Sequence, residues 1–261
     1  MNKKAVLSTL VFLIVFVVGA IILLGVSYVI ANQVKEDADI ETCRLSVLAQ
    51  SQLRKLPFVP DSPKTLISLD CPRRNIKIYE DKVTVNGKKS RKYDFSKLSK
   101  DEVNHILAEE MRFCWYKMAE GNQDVFENNF IFGLPHNVCL ICSEISFDDK
   151  SIGNTYVGLV EYLKSRKISN ADISYFDYLI KYQPYPWWGV VPWSQGFTPW
   201  GYSKTGKIAE DVVNSNNKYS IYFLAYKPNW LDQFTKIYNK AYFVGLGKDD
   251  KIENECDELV N

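Results

Sequence analysis

Histidine is nearly absent from this 261-residue chain, which holds only His105 and His136. That scarcity removes metal centres and proton relays built on clustered imidazoles. Cys139-Leu-Ile-Cys142 has no second Cys-x-x-Cys to match it, so a four-thiolate zinc site is not signalled. No nucleophile elbow, phosphate-binding loop or dinucleotide fingerprint occurs, and Gly245-Leu-Gly247 is too short a glycine pattern to stand for one. A basic surplus is lacking too. With residues 1–31 set aside, 30 basic side chains stand against 31 acidic ones, which speaks against a nucleic-acid binder dependent on excess positive charge. No internal repeat or low-complexity linker is present.

What the chain does contain is one long apolar run. Ala5 to Ala31 are 27 consecutive positions without a charged side chain, directly after Lys3 and Lys4. At about 1.5 Å per helical residue the run exceeds the ~30 Å hydrocarbon core of a bilayer. It reads as a single transmembrane helix over 5–31, with residues 1–4 as a cytoplasmic tip. Lys35 is outnumbered by Glu36, Asp37, Asp39 and Glu41 on the far side, so the positive-inside tendency keeps the N-terminus cytoplasmic and places the main domain outside. A cleaved secretory signal, ending at Val29-Ile30-Ala31, is the rival reading, although its apolar region is ordinarily about 7–15 residues. Ser27 and Ala31 permit close helix packing, which leaves a homo-oligomer open.

All six cysteines, Cys43, Cys71, Cys114, Cys139, Cys142 and Cys256, follow the run. An even count in an exported domain predicts three disulfides. Connectivity stays open among about 15 possibilities, with Cys43–Cys71 as a local loop and Cys256 tying the tail to the core. Positions three apart in a straight strand point to opposite faces, so Cys139 and Cys142 are expected in separate bridges. A redox-active pair or a metal site drawing on Cys114, Cys139, Cys142 and Cys256 are the alternatives.

The remaining chain predicts an α+β fold: a helical extension over 32–55, then one mixed α+β domain over 56–261. Val34, Ala38, Cys43, Val47 and Leu53 recur near helical spacing, and Pro57 and Pro60 stop the helix. Asn75-Ile-Lys-Ile-Tyr and Lys82-Val-Thr-Val alternate as strands, with Asn86-Gly87 as a tight turn. Ser99 and Glu102 form a capping box opening a helix to about Ala119, whose stripe Val103, Leu107, Met111, Cys114 and Met118 faces the core. Asn137–Phe147 reads as a strand with Cys139, Ile141, Ile145 and Phe147 on one side. Helices follow at about 154–167 and 171–182, then strands at 219–226 and 241–246 around a helix at 230–238, and an acidic tail.

Paired acids Glu109-Glu110 and Asp148-Asp149 are expected at a helix surface and a turn, where solvation accounts for them. His105 and Glu109, one helical turn apart, are expected on the same solvated face. No catalytic residue, metal ligand or cofactor is assigned, and the chain is expected not to be an enzyme. The aromatic content is high at 14%, and four of the six tryptophans, Trp187, Trp188, Trp193 and Trp200, fall among four prolines in Gln183–Tyr202. Indoles held by a proline-rich loop make a candidate surface for a protein or glycan partner, or for the lipid interface.

Lys4-Ala5-Val6-Leu7 resembles the archaeal class III, or type IV pilin-like, signal, and a helix continuing from the membrane into the domain is similar to the pilin spine. The resemblance implies cleavage after Ala5 and assembly into surface filaments. It covers the first 55 residues, and Leu10 stands where bacterial pilins carry a glutamate. The layout as a whole resembles single-pass archaeal surface proteins. The expectation is a cell-membrane protein, anchored through 5–31, whose disulfide-linked exterior domain is structural, adhesive or part of a surface assembly. The alternatives are a membrane-tethered thiol–disulfide oxidoreductase using Cys139 and Cys142, or a glycan-binding module using the Trp/Pro loop.

Overall fold

The computed structural model describes residues 38–52, 69–123, 126, 136–149, 153–169, 171–180, 211–227 and 241–260. The apolar run 5–31, the Trp/Pro segment 183–202 and the helix expected at 230–238 lie outside the described residues. No helix among the described residues is long and apolar enough to cross a membrane. The chain divides into two units, Met1–Asp39 and Ile40–Asn261, and apart from residues 38 and 39 the elements below belong to the second.

The second unit is mixed α+β. Residues 38–52 form a helix, α1, whose Cys43 and Val47 are fully buried. Strands β1 (Arg74–Ile78), β2 (Val83–Val85) and β3 (Lys88–Lys89) follow. Asn86 and Gly87 both take positive φ, 50° and 78°, the geometry of the expected hairpin turn. Ser99 caps α2 (Lys100–Lys117), its hydroxyl accepting from the Glu102 amide at 3.2 Å. The stripe Val103, Leu107, Met111, Cys114 and Met118 is fully buried.

β4 (His136–Phe147), β7 (Tyr219–Lys227) and β8 (Ala241–Lys248) complete the main sheet, in the order β3-β2-β1-β4-β7-β8. One edge of β4 pairs antiparallel with β7 along most of its length; the other is shared by β1, parallel over Ser143–Phe147, and β9 (Glu258–Val260), parallel over Val138–Leu140. The register with β7 shifts between Ile141 and Ser143, so Cys142 is the additional residue of a β-bulge.

Four expectations are corrected by this architecture. The bulge breaks the expected single face of β4: Cys142 bonds Cys114 and Ser143 bonds Glu110, both on α2, so Ile145 and Phe147 share the α2 side while Cys139 and Ile141 take the other. The helix expected at 154–167 begins later. Thr155–Val157 is strand β5, paired with β6 (Val212–Asn214), and Gly158 at φ 84° separates it from α3 (Leu159–Ser165). The helix expected from 171 starts at Tyr175 (α4, Tyr175–Ile180), where the Ser174 hydroxyl caps the Asp177 amide at 3.0 Å. The strand at 241–246 is not the last: after β8 the acidic tail turns through Ile252–Glu255, is tied to the core by Cys256 as expected, here through Cys139, and ends as the further strand β9.

On the side of the sheet away from α2, Gly245 and Gly247 explain a pattern that carries no phosphate chemistry. Tyr222 lies across them, and a Cβ on Gly245 would stand 2.4 Å from its Cζ. The glycines make room for an aromatic ring packed flat on the neighbouring strand.

Candidate functional site

The densest polar chemistry among the described residues is built on α2. Glu110 lies three residues after Leu107 and four before Cys114, inside the apolar stripe, and is fully buried. Arg74 opens β1 on the same side as Ile76 and Ile78, because alternate strand residues share a face, and only 1% of it is exposed. The two meet in a forked ion pair, Arg74 Nε and Nη2 each donating at 3.1 Å to a different carboxylate oxygen. The Tyr93 hydroxyl donates at 2.8 Å and the Ser143 hydroxyl at 2.7 Å. Each oxygen of Glu110 thus accepts two hydrogen bonds, and β1, β4, α2 and the segment before α2 converge on one carboxylate.

Burial alone would push the Glu110 carboxyl up. The Arg74 charge, with hydrogen bonds from Arg74, Ser143 and Tyr93, outweighs it and holds the carboxyl below the ordinary carboxylate range. Burial, reinforced by the Glu110 charge, pushes the Tyr93 hydroxyl well above its usual value.

Glu109, about 100° around α2 from Glu110, meets α4. Arg112 donates to it twice, at 3.2 and 2.9 Å, and the Tyr175 hydroxyl of α4 is a third donor. Here too burial opposes ionisation, and the hydrogen bonds from Arg112 and Tyr175 prevail, lowering the carboxyl. Burial and the adjoining carboxylate raise the Tyr175 hydroxyl. One turn back, His105 Nδ1 lies 3.1 Å from the Tyr162 hydroxyl of α3.

This placement overturns the solvated-face expectation for Glu109-Glu110 and for the His105–Glu109 pair. Glu109 is 6% exposed and Glu110 has no exposed surface; Glu109 is held by Arg112 and Tyr175, and the half-buried His105 meets Tyr162 through Nδ1. Asp148 lies at the end of β4, ion-paired with Lys77 at 3.5 Å.

The cysteines form three bridges: Cys43–Cys71, Cys114–Cys142 and Cys139–Cys256, with none left free. The first ties α1 to the segment before β1, the second α2 to the bulge of β4, the third the C-terminal segment to the far side of β4. A dithiol cycling at Cys139-Leu-Ile-Cys142 requires those two sulfurs to bond each other. Here they point to opposite faces of β4, and both residues are buried. Among the described residues, no group of three His, Cys, Asp or Glu side chains could hold a metal ion.

Chemically, this arrangement holds charge in place. A general acid or base must reach the proton it transfers, whereas Glu110 is enclosed and its acceptor positions are filled. The network locks α2 to two strands and fixes which helix face meets the sheet. Both members were detectable by position: Glu110 falls in the apolar stripe of α2 and Arg74 shares the parity of Ile76 and Ile78. The candidate surface Trp187, Trp188, Trp193 and Trp200 lies outside the described residues. No family model, curated protein or solved structure matches the chain.

Proposed function

We propose that this chain is a single-pass membrane protein, anchored through residues 5–31, whose disulfide-linked α+β domain lies outside the cell and serves a structural, adhesive or surface-assembly role. The observation that carries the reading is the pairing of every cysteine. All six follow the apolar run and all six are bonded; such bridges persist in oxidising surroundings and are rare where thiols are kept reduced. The buried polar centre adds support, since its groups hold α2 to β1 and β4.

In the pilin-like form of the proposal, residues 1–5 are removed, Val6 begins the mature chain, and the apolar helices bundle in a filament. Adhesive contact is assigned to Trp187, Trp188, Trp193 and Trp200.

Labelling intact cells with a membrane-impermeant amine-reactive biotin, followed by alkaline extraction of the membranes, tests the proposal. The expected result is labelling of lysines beyond residue 31 without cell lysis, with the chain retained in the membrane pellet. Protection of those lysines until lysis, or release of the full-length chain by alkali, contradicts it. Recovery of Met1–Ala5 on the mature chain removes the pilin-like form alone.

A further inference from the structure

The near-neutral charge balance conceals a separation of charge. Between Gly87 and Lys100 six basic residues stand against one acidic residue, Asp94, while the rest of 32–261 holds 24 basic and 30 acidic residues. The basic residues Lys88, Lys89, Arg91, Lys92, Lys97 and Lys100 are all exposed. Lys88 and Lys89 form the outermost strand of the main sheet, Arg91 and Lys92 follow directly, and no described carboxylate ion-pairs with Lys88, Lys89 or Arg91. The positive-φ turn at Asn86-Gly87 projects this edge, and the Ser90 amide, bonded to the Val83 carbonyl at 2.9 Å, fixes the chain as it leaves β3.

Four cations within five residues, on a backbone held by a hairpin, attract a polyanion by neutralising its charges and releasing its counterions. A membrane surface is the less suited partner. Interfacial binding draws on apolar side chains set among the cations, whereas Tyr93 beside this run is buried and Phe95 and Leu98 are partly buried. Among the described residues, the exposed large apolar ones, Leu45, Val157, Val212 and Leu259, lie on other elements. Lysines on a short edge strand also deter edge-to-edge pairing between copies, but that purpose is served by Lys88 and Lys89 and leaves Arg91 unexplained.

We infer that the β2–β3 hairpin edge, through Lys88, Lys89 and Arg91, is a docking surface for an acidic polysaccharide, recognised by its repeating carboxylate or sulfate groups. The charge of this edge calls for a polyanion, and the choice of a polysaccharide over a nucleic acid rests on the exterior placement proposed above.

The test uses the full chain in non-ionic detergent, titrated with sodium alginate and with dextran sulfate, beside vesicles of phosphatidylglycerol mixed with phosphatidylcholine. The comparison is the variant K88Q/K89Q/R91Q, which spares Lys92 because its ammonium lies 3.8 Å from the Phe113 ring. The expected result is polysaccharide binding that weakens at least about tenfold between about 50 and 200 mM salt, and that the variant loses by at least about tenfold with an unchanged melting temperature. Unaltered binding by the variant, or no binding by the native chain, overturns the inference. So does vesicle binding without polysaccharide binding, which assigns the edge to lipid, and self-association of a variant whose parent binds neither probe, which leaves edge protection as its role. Should the variant fail to fold, the single replacement R91Q off the strand is read instead, expected to weaken binding severalfold; unchanged affinity contradicts the inference.

Discussion

Replacing Glu110 by glutamine removes one charge from a pair that has almost no contact with water. Arg74 would stay behind with 1% of its surface exposed, its counter-charge gone and one of the two acceptors it reaches at 3.1 Å replaced by an NH2 group that cannot accept. Breaking a buried pair from one side leaves an uncompensated ion and costs about 3–5 kcal/mol. E110Q should therefore lower the unfolding free energy by about that amount at neutral pH, read as a shift of the urea midpoint with disulfides intact. The pH dependence follows from the direction of the shift. Glu110 is held below the ordinary carboxylate range in the folded chain, so between that folded value and the ~4.3 of a free glutamate the unfolded chain binds the additional proton. The contribution is complete above the free value and disappears as pH falls through the folded one. The gap between native chain and E110Q should thus narrow on acidification. The fourfold apolar replacement R74M/Y93F/E110L/S143A should recover much of the loss, since it removes both charges and both hydroxyl donors together. A deficit in E110Q below about 1 kcal/mol, the range of exposed pairs, or one that widens at low pH, would refute this account of the network.

Opening Cys139–Cys256 as C139S/C256S releases a cross-link spanning 117 residues, worth about 4.9 kcal/mol by chain entropy, against about 3.6 for the 28-residue span of Cys43–Cys71; urea unfolding of the two double variants should rank them in that order, and hydrogen exchange at Val138 and Leu140 should quicken only in the first. G245A drives a methyl group to 2.4 Å from Tyr222 Cζ and should cost about 1–3 kcal/mol as overpacking; the same change beside Y222A should cost distinctly less, as a thermal double-mutant cycle will read. S99A removes the cap on the Glu102 amide and should cost about 1 kcal/mol, seen as a lower melting temperature.

Much of the helix and hairpin structure was legible because each signal is local. A serine three residues before a glutamate, an Asn-Gly pair between alternating runs, and apolar residues at helical spacing act within a few positions, and the caps, turn and stripe of α2 follow them. Parity reasoning also contained the buried pair: Arg74 shares a face with Ile76, and Glu110 sits in the stripe. Reading charged side chains as solvated by default concealed it, since a fully buried glutamate becomes favourable only when an arginine and two hydroxyls arrive from distant segments. The β4 bulge was invisible for a related reason. One additional residue opposite β7 reverses the facing of every later position, and nothing in Ile141-Cys142-Ser143 announces it. Pairings such as Thr155 with Asn214 and Val138 with Glu258 join segments too far apart for periodicity to link.

The central claim, an exterior domain held by scaffold disulfides, is tested most directly by a bridge map of the native protein. Cells should be quenched with an alkylating agent before lysis, and the unreduced chain digested and read by mass spectrometry. The account predicts Cys43–Cys71, Cys114–Cys142 and Cys139–Cys256 with no alkylated cysteine. A Cys139–Cys142 peptide, or alkylation of several cysteines in freshly quenched cells, would contradict it.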